Sequence, residues 1–139
     1  MIVLDTNVLS EALKPTPSQT VLGWLAAQKP SAVFTTTITQ AELLYGVEVL
    51  PPSKRRVKLL SAVERILNEE FERRILPFDE GAAREFARIV ATRHAAGRPI
   101  SQLDAMIAAI ARSHHAAVAT RNTSDFNRCG IQVMNPWSE

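Results

Sequence analysis

The chain has 139 residues, of which 46% are hydrophobic and 22% are charged, and its length is that of one domain spanning 1–139. The formal net charge of +2 permits an anionic partner but is too small to predict nucleic-acid binding by itself. No apolar run is long enough to span a membrane, and Asp5 interrupts the first one too early for a signal peptide. Cys129 is the only cysteine, which excludes an internal disulfide, so we expect a protein of the reducing cytoplasm.

Short strands and helices are predicted to alternate along the chain. Residues 1–4 form an apolar run that Asp5 ends abruptly, and apolar residues then recur at helical spacing as far as Pro15. Further strand patterns lie at 32–36, 74–78, 117–120 and 131–134. Further helical patterns lie at about 18–29, 39–50, 53–71, 80–96 and 102–114, with a turn at 122–126. This alternation favours an α/β fold with a mainly parallel sheet and helices on both faces.

The helix predicted at 53–71 is long and amphipathic. We expect its apolar residues to face inward: Val57, Leu60, Val63, Ile66 and Leu67. We expect its basic residues to face outward: Lys54, Arg55, Arg56, Lys58 and Arg65. A basic run of this kind is usually a solvated face, and contact with the phosphates of an anionic partner is the alternative.

Four carboxylates do not fit the solvated faces on which most acids of this chain lie. Asp5 follows a buried strand, and Glu42 lies early in a helix that follows another strand. Asp125 comes shortly after the strand at 117–120, whereas Asp104 is the only charged residue between 102 and 111. Ligands of open parallel sheets bind at the carboxyl ends of the strands, so these side chains are candidates for one shared site.

Each carboxylate also has a purely structural interpretation. Asp5 is a good helix N-cap. The residues at 39–42 and at 101–104 have the spacing of capping boxes, in which an acid bonds back to the start of its helix. Asp125 is typical of a surface turn.

Carboxylates that share a small space repel one another and raise their own pKa values. A hard divalent cation removes that repulsion, and oxygen ligands suit Mg²⁺ and also Mn²⁺. The chemistry that follows is metal-assisted hydrolysis of a phosphodiester. An aspartyl-phosphate phosphatase is disfavoured because Asn7 stands where an Asp-x-Asp motif would place its second acid. The three histidines, His94, His114 and His115, are not arranged as a zinc site.

The pieces of sequence that carry these signals match those of a known family. They are MIVLDTNVLSE at 1–11, TITQAELLYGV around Glu42, RILPFD at 74–79, ISQLDAMIAA around Asp104, and VATRNTSDF followed by NPW near the end. With this ordered set the chain resembles a PIN domain, and specifically the FitB-like members of the VapC toxins of bacterial toxin–antitoxin pairs.

The resemblance implies an α/β/α sandwich and an endoribonuclease that depends on Mg²⁺, with Mn²⁺ as an alternative. It implies that Asp5 and Asp104 bind the metal, and that Glu42 is a third acid that binds through water or positions the attacking water. Asp125 would be the fourth acid, although some similar proteins carry Asp where this chain has Asn122. The residues implied to support the site are Thr6, Asn7 and Thr120. The basic residues nearest the predicted acids, and so the RNA-binding candidates, are Arg98 and Arg121.

The resemblance also implies partners. These are a second copy of the chain in a homodimer, and a cognate VapB-type antitoxin that covers the toxin and contacts operator DNA. An alternative stays open at this point. The chain would then be a catalytically weak PIN-like module that acts mainly through antitoxin-linked binding to operator DNA.

Overall fold

A computed structural model of the protein describes residues 1–138. In this part of the chain five strands form one parallel sheet in the order β3-β2-β1-β4-β5. The strands are β1 (Ile2–Leu4), β2 (Val33–Thr36), β3 (Ile75–Leu76), β4 (Ala117–Ala119) and β5 (Val133–Met134). The α-helices are α1 (Thr6–Ala12), α2 (Gln19–Ala26), α3 (Thr37–Glu48), α4 (Lys54–Arg65), α5 (Glu80–Ala95) and α6 (Gln102–Ser113). The predicted α/β fold with a parallel sheet is confirmed.

Helices cover both faces of the sheet because its central strand is apolar on both sides. Val3 and Leu4 are fully buried, and successive residues of a strand point to opposite faces. Val3 packs in an apolar cluster that includes Ile89 of α5 and Ile107 of α6. Leu4 packs in a second cluster with residues of α1 to α4, among them Val8. The result is the α/β/α sandwich that the family resemblance implies.

Helix α4 departs from the prediction in two respects. Val57 is 69% exposed and Leu60 is 40% exposed, so the expectation that they face inward is wrong. Helix α4 contacts the core through buried Val63 and partly buried Leu59 instead. The α-helix also stops at Arg65, and the five residues Ile66–Glu70 form a π-helical turn that keeps Ile66 and Leu67 buried.

The N-caps of α3 and α6 test the capping boxes predicted for Glu42 and Asp104. Thr36 is the N-cap of α3, since its hydroxyl accepts a hydrogen bond from the backbone N–H of Thr39 at 3.1 Å. The capping box predicted at 39–42 is therefore wrong, and Glu42 lies beyond the first turn of α3. Ser101 does cap α6, accepting from the backbone N–H of Asp104 at 3.3 Å, as the spacing predicts.

Replacing Ser101 with Ala is expected to lower the free energy of unfolding by about 1 kcal/mol, because α6 loses its N-cap. Urea denaturation would measure the change. Ser61→Ala on the exposed surface of α4 is the matched control, with an expected change within about 0.5 kcal/mol. Equal stability of the two variants would contradict a capping role for Ser101.

Within residues 1–138, no helix is both long and apolar enough to cross a membrane.

Candidate active site

The carboxyl ends of the central strands place several polar side chains together. Leu4 of β1 pairs with Ala119 of β4, so Asp5 and Thr120 leave the sheet side by side. The backbone N–H of Asp5 donates to the carbonyl of Ala119 at 2.9 Å. Because β2 lies on the other side of β1, the start of α3 arrives at the same edge. This is the edge at which ligands of open parallel sheets bind.

Asp5 is a buried carboxylate at the junction of β1 and α1, only 4% exposed. Its Oδ1 accepts from the backbone N–H of Thr6 at 2.8 Å, so Asp5 does act as an N-cap. Its Oδ2 accepts from the Thr120 hydroxyl at 2.8 Å and from the Asn7 amide at 3.3 Å. Capping therefore uses one oxygen of Asp5, while the other belongs to a network across the sheet edge.

The pKa of Asp5 is raised to about 6, chiefly by burial and to a smaller extent by the negative charges of Asp104 and Glu42. The hydrogen bonds from Thr120 and Thr6 act in the opposite direction without cancelling the effect of burial. Asp5 is thus a carboxylate whose charged form is disfavoured by its own surroundings.

Thr120 and Asn7 link the two strand ends. The Asn7 amide donates to the Thr120 hydroxyl at 3.1 Å, and its carbonyl oxygen accepts from the backbone N–H of Arg121 at 3.3 Å. Thr120 also accepts from the backbone N–H of Asn122 at 3.0 Å. These contacts fix the loop after β4 relative to Asp5.

Glu42 is oriented by hydroxyl groups. Its Oε1 accepts from the Thr6 hydroxyl at 2.7 Å. Thr6 also lies 3.0 Å from the hydroxyl of Thr39, one turn earlier in α3, which is itself buried. The side chain of Glu42 is partly exposed, so it can reach a ligand in the adjoining cavity.

Asp104 projects from the first turn of α6 and is partly buried. Burial raises its pKa, and the charge of Asp125 raises it further, whereas the Ser101 hydroxyl and the charge of Arg93 lower it. Asp104 therefore takes part in the N-cap of α6 and is at the same time an acid whose charged form is disfavoured by burial and by a nearby acid.

These residues line one cavity of about 370 Å³. Its lining includes the following predicted site residues: Asp5, Thr6, Asn7, Glu42, Asp104 and Arg121. The other lining residues are Ser10, Glu11, Lys14, Asn122 and Trp137. Four of the lining side chains are carboxylates, and none is a histidine or cysteine. Hard oxygen donors of this kind suit Mg²⁺ or Mn²⁺ rather than zinc or copper.

The carboxylates do not form a closed cage. In the described part of the chain, no three acidic, histidine or cysteine side chains are close enough together to hold a metal ion. A Mg²⁺ site does not require such a cluster, because it typically uses one or two carboxylates and keeps several waters. The fit to the implied metal rests on the oxygen donors of the lining.

Three predicted site residues do not line this cavity. Thr120 is fully buried and reaches the site through its hydrogen bond to Asp5. Asp125 is exposed in a short 3₁₀ turn, Thr123–Phe126, and acts on Asp104 only through its charge. Asn122 lines the cavity instead. Arg98 is exposed in the turn between α5 and α6 and is also not among the lining residues. The catalytic role of Asp125 and the RNA contact of Arg98 stay predictions.

Four cavity residues were not predicted from the sequence: Ser10, Glu11, Lys14 and Trp137. Glu11 is buried, and its pKa is held below its usual range by hydrogen bonds from Lys14 and from the backbone N–H of Ser18. The spacing of Glu11 and Lys14, one turn apart on α1, is the sequence signal for that pair. Trp137 comes from the last turn, and only its place in the NPW motif marks it.

A PIN domain model matches residues 2–131 of the chain. The VapC ribonuclease Y4jK of Sinorhizobium fredii is 41% identical over 137 residues, covering 99% of this chain and 98% of that protein. Toxin FitB of Neisseria gonorrhoeae is 40% identical over 139 residues, covering 100% of both chains. A solved structure of FitAB bound to an IR36 DNA fragment matches with a TM-score of 0.93 and 40% identity, covering 99% of this chain and 96% of that chain.

The chain therefore belongs to the PIN-domain family. Its relatives within the family are VapC ribonucleases and the FitB toxin, which confirms the resemblance seen in the motifs.

Proposed function

We propose that the protein is the toxin of a type II toxin–antitoxin pair and a metal-dependent endoribonuclease that hydrolyses RNA phosphodiester bonds. The observation that carries the proposal is the acid-lined cavity, in which buried Asp5 faces the like charges of Asp104 and Glu42. Such an arrangement costs free energy in the absence of a cation and gives a divalent cation a favourable place to bind. The names of the relatives support the choice of RNA as substrate.

Asp5 and Asp104 would hold the metal ion. A bound Mg²⁺ or Mn²⁺ would polarise a phosphoryl oxygen and make a water molecule more acidic. Glu42, oriented by the Thr6 hydroxyl, would accept a hydrogen bond from the attacking water and direct its lone pair at phosphorus. Thr120 and Asn7 would keep Asp5 in one orientation through the contacts already described.

Removing the metal is expected to abolish RNA cleavage. Purified protein would be incubated with RNA in Mg²⁺, in Mn²⁺ and in a chelator, and the products separated on a gel. Asp104→Asn should reduce the rate in either metal by about 1000-fold, since it removes a metal ligand worth several kcal/mol in the transition state. Glu72→Gln, which neutralises an exposed acid outside the cavity, is the matched control.

Cleavage that persists in the chelator, or that is equal in Asp104→Asn and Glu72→Gln, would contradict the metal-dependent mechanism.

We propose further that the protein works in the cytoplasm as a homodimer with a VapB-type antitoxin. The FitAB structure, a complex on DNA, supports such an assembly. Exposed hydrophobic side chains in α3, at its C-cap and in α4 also favour a protein partner; they are Tyr45, Val49, Val57 and Leu60. Contact with operator DNA would come through the antitoxin, because the net charge of this chain is only +2.

The DNA-bound relative also favours a second candidate function, a catalytically weak module that serves operator binding. Expression in cells without the antitoxin separates the two. Growth arrest by the wild type but not by Asp104→Asn is expected for the ribonuclease. Normal growth with the wild type would favour the binding module.

A further inference from the structure

The cavity contains two cationic side chains, and they differ in how they are paired. The Lys14 ammonium is 2.9 Å from the Glu11 carboxylate. In the described part of the chain, no carboxylate lies within ion-pair distance of the Arg121 guanidinium, and that group donates no hydrogen bond to a protein acceptor. A cavity lined by acids repels an RNA strand, so an unpaired cation on its wall is the natural contact for a phosphate.

Arg121 is fixed relative to the candidate catalytic acids. Its backbone N–H donates to Asn7, and Asn7 in turn donates to Asp5 and Thr120. The start of the Arg121 side chain is therefore held at the same sheet edge as Asp5. A phosphate bound by this arginine would lie along the same strand as a phosphate placed at Asp5.

The ring of Trp137 supports the guanidinium from one side. The Arg121 Cζ atom lies over this ring, 5.2 Å from its centroid. The Trp137 backbone N–H donates to the Asn135 side chain at 3.0 Å, and the ring packs against the apolar cluster around Leu4. The aromatic ring therefore lies against the guanidinium, and the N–H donors of this group are left for a ligand. Those donors match a phosphate in bidentate geometry.

We propose that Arg121, positioned by Trp137, binds the phosphate next to the scissile one in a single strand of RNA. The inference rests on the proposed ribonuclease function. A single strand is favoured because the reacting phosphate must come close to Asp5, which is almost fully buried, and a flexible strand enters a cavity of about 370 Å³ more readily than a rigid duplex. Trp137 acts through Arg121 and is a positioning residue.

Binding of fluorescein-labelled oligouridylate, measured by anisotropy in a chelator, tests the proposal without cleavage. Arg121→Ala should weaken binding roughly 10-fold, because one charge-assisted phosphate contact is lost. The slope of log affinity against log salt should fall by about 0.7, as expected for one phosphate on a single strand. Arg84→Ala, an exposed arginine on α5 outside the cavity, is the matched control and should leave both values unchanged.

The positioning role of Trp137 has its own readout. Trp137→Ala should weaken binding roughly 3-fold, the worth of an exposed cation–π contact, and Trp137→Phe should recover most of that loss. Cleavage kinetics give a separate test of Arg121. Arg121→Ala should raise KM for RNA cleavage in Mn²⁺ while kcat stays within about twofold, since the contact between arginine and phosphate is made equally in the bound substrate and in the transition state.

If the wild type binds and cleaves RNA, and Arg121→Ala binds RNA as tightly as Arg84→Ala does, this inference is overturned and the proposed function is not. A wild type that neither binds nor cleaves RNA would overturn the proposed function and this inference together.

Discussion

Replacing Asp5 with Asn is expected to stabilise the metal-free protein while abolishing RNA cleavage. The pKa of Asp5 is raised from 3.8 to about 6, chiefly by burial, which corresponds to a penalty of about 3 kcal/mol for the charged form at neutral pH. Asparagine carries no charge and still offers an oxygen to the backbone N–H of Thr6. Its NH₂ group would face the Thr120 hydroxyl and the Asn7 amide, which donate to Oδ2 of Asp5, and this mismatch offsets part of the gain. The free energy of unfolding in a chelator should therefore rise by up to about 3 kcal/mol. RNA cleavage should fall about 1000-fold, because a metal ligand is lost.

The pH dependence of this effect has a definite sign. Below pH 3.8 the carboxyl of Asp5 is protonated in both the folded and unfolded states, and it imposes no penalty. Between 3.8 and about 6 the folded state retains a proton that the unfolded state has lost, so this group makes the protein less stable as pH rises. Above about pH 6 the penalty is constant. The stability difference between Asp5→Asn and the wild type should grow over that window and then level off.

Glu11 supplies a control of opposite sign in the same cavity. Its pKa is lowered by its hydrogen bonds to Lys14 and Ser18, so its charged form is favoured in the folded protein and Glu11→Gln should be destabilising at neutral pH. Urea denaturation of both variants, with and without Mg²⁺, would test the pair. Added Mg²⁺ should stabilise the wild type above pH 6 but not Asp5→Asn. Destabilisation of metal-free Asp5→Asn at pH 7 would contradict the electrostatic account.

The order of the strands and helices could be predicted from the sequence because each has a clear period and a clear end. The run at residues 1–4 is apolar without alternation, as expected for a strand buried on both faces. The failures come from packing, which no local pattern encodes. Val57 and Leu60 are apolar residues of an amphipathic helix, yet they are exposed because α4 packs on the core through Leu59 and Val63 instead. Which part of a helix is covered depends on where its neighbours lie.

Part of the candidate site could also be predicted from the order of strands and helices. Asp5 and Glu42 follow strands, and the parallel sheet brings their positions to one edge. The identity of the fourth polar group could not be predicted, because Asn122 and Asp125 follow the same strand and only the path of the 3₁₀ turn decides which one lines the cavity. The buried position of Arg93 was not predicted either. Its sequence signal is the helical period, since it falls four residues after buried Ile89 on the inner face of α5.

Replacing Arg93 with Ala is expected to cost about 3–5 kcal/mol of the free energy of unfolding. The side chain is 6% exposed, and its guanidinium donates to the carbonyls of Arg98 at 2.6 Å, Asp125 at 2.7 Å and Asn127 at 2.9 Å. It thus ties the end of α5 to the turn before α6 and to the loop after β4. Removing it leaves carbonyl groups without their donors and opens a cavity, and both effects are destabilising.

The conservative and control variants sharpen the test. Arg93→Lys keeps the charge but has a single nitrogen, which cannot reach all three carbonyls, so it should recover only part of the loss. Arg88→Ala, which removes an exposed arginine paired with Glu85 on the same helix, should cost no more than about 1 kcal/mol. Hydrogen exchange should quicken in residues 122–129 of Arg93→Lys. If exchange there is unchanged and Arg93→Ala is no less stable than Arg88→Ala, then the guanidinium does not hold the loop that carries Asn122 and Asp125.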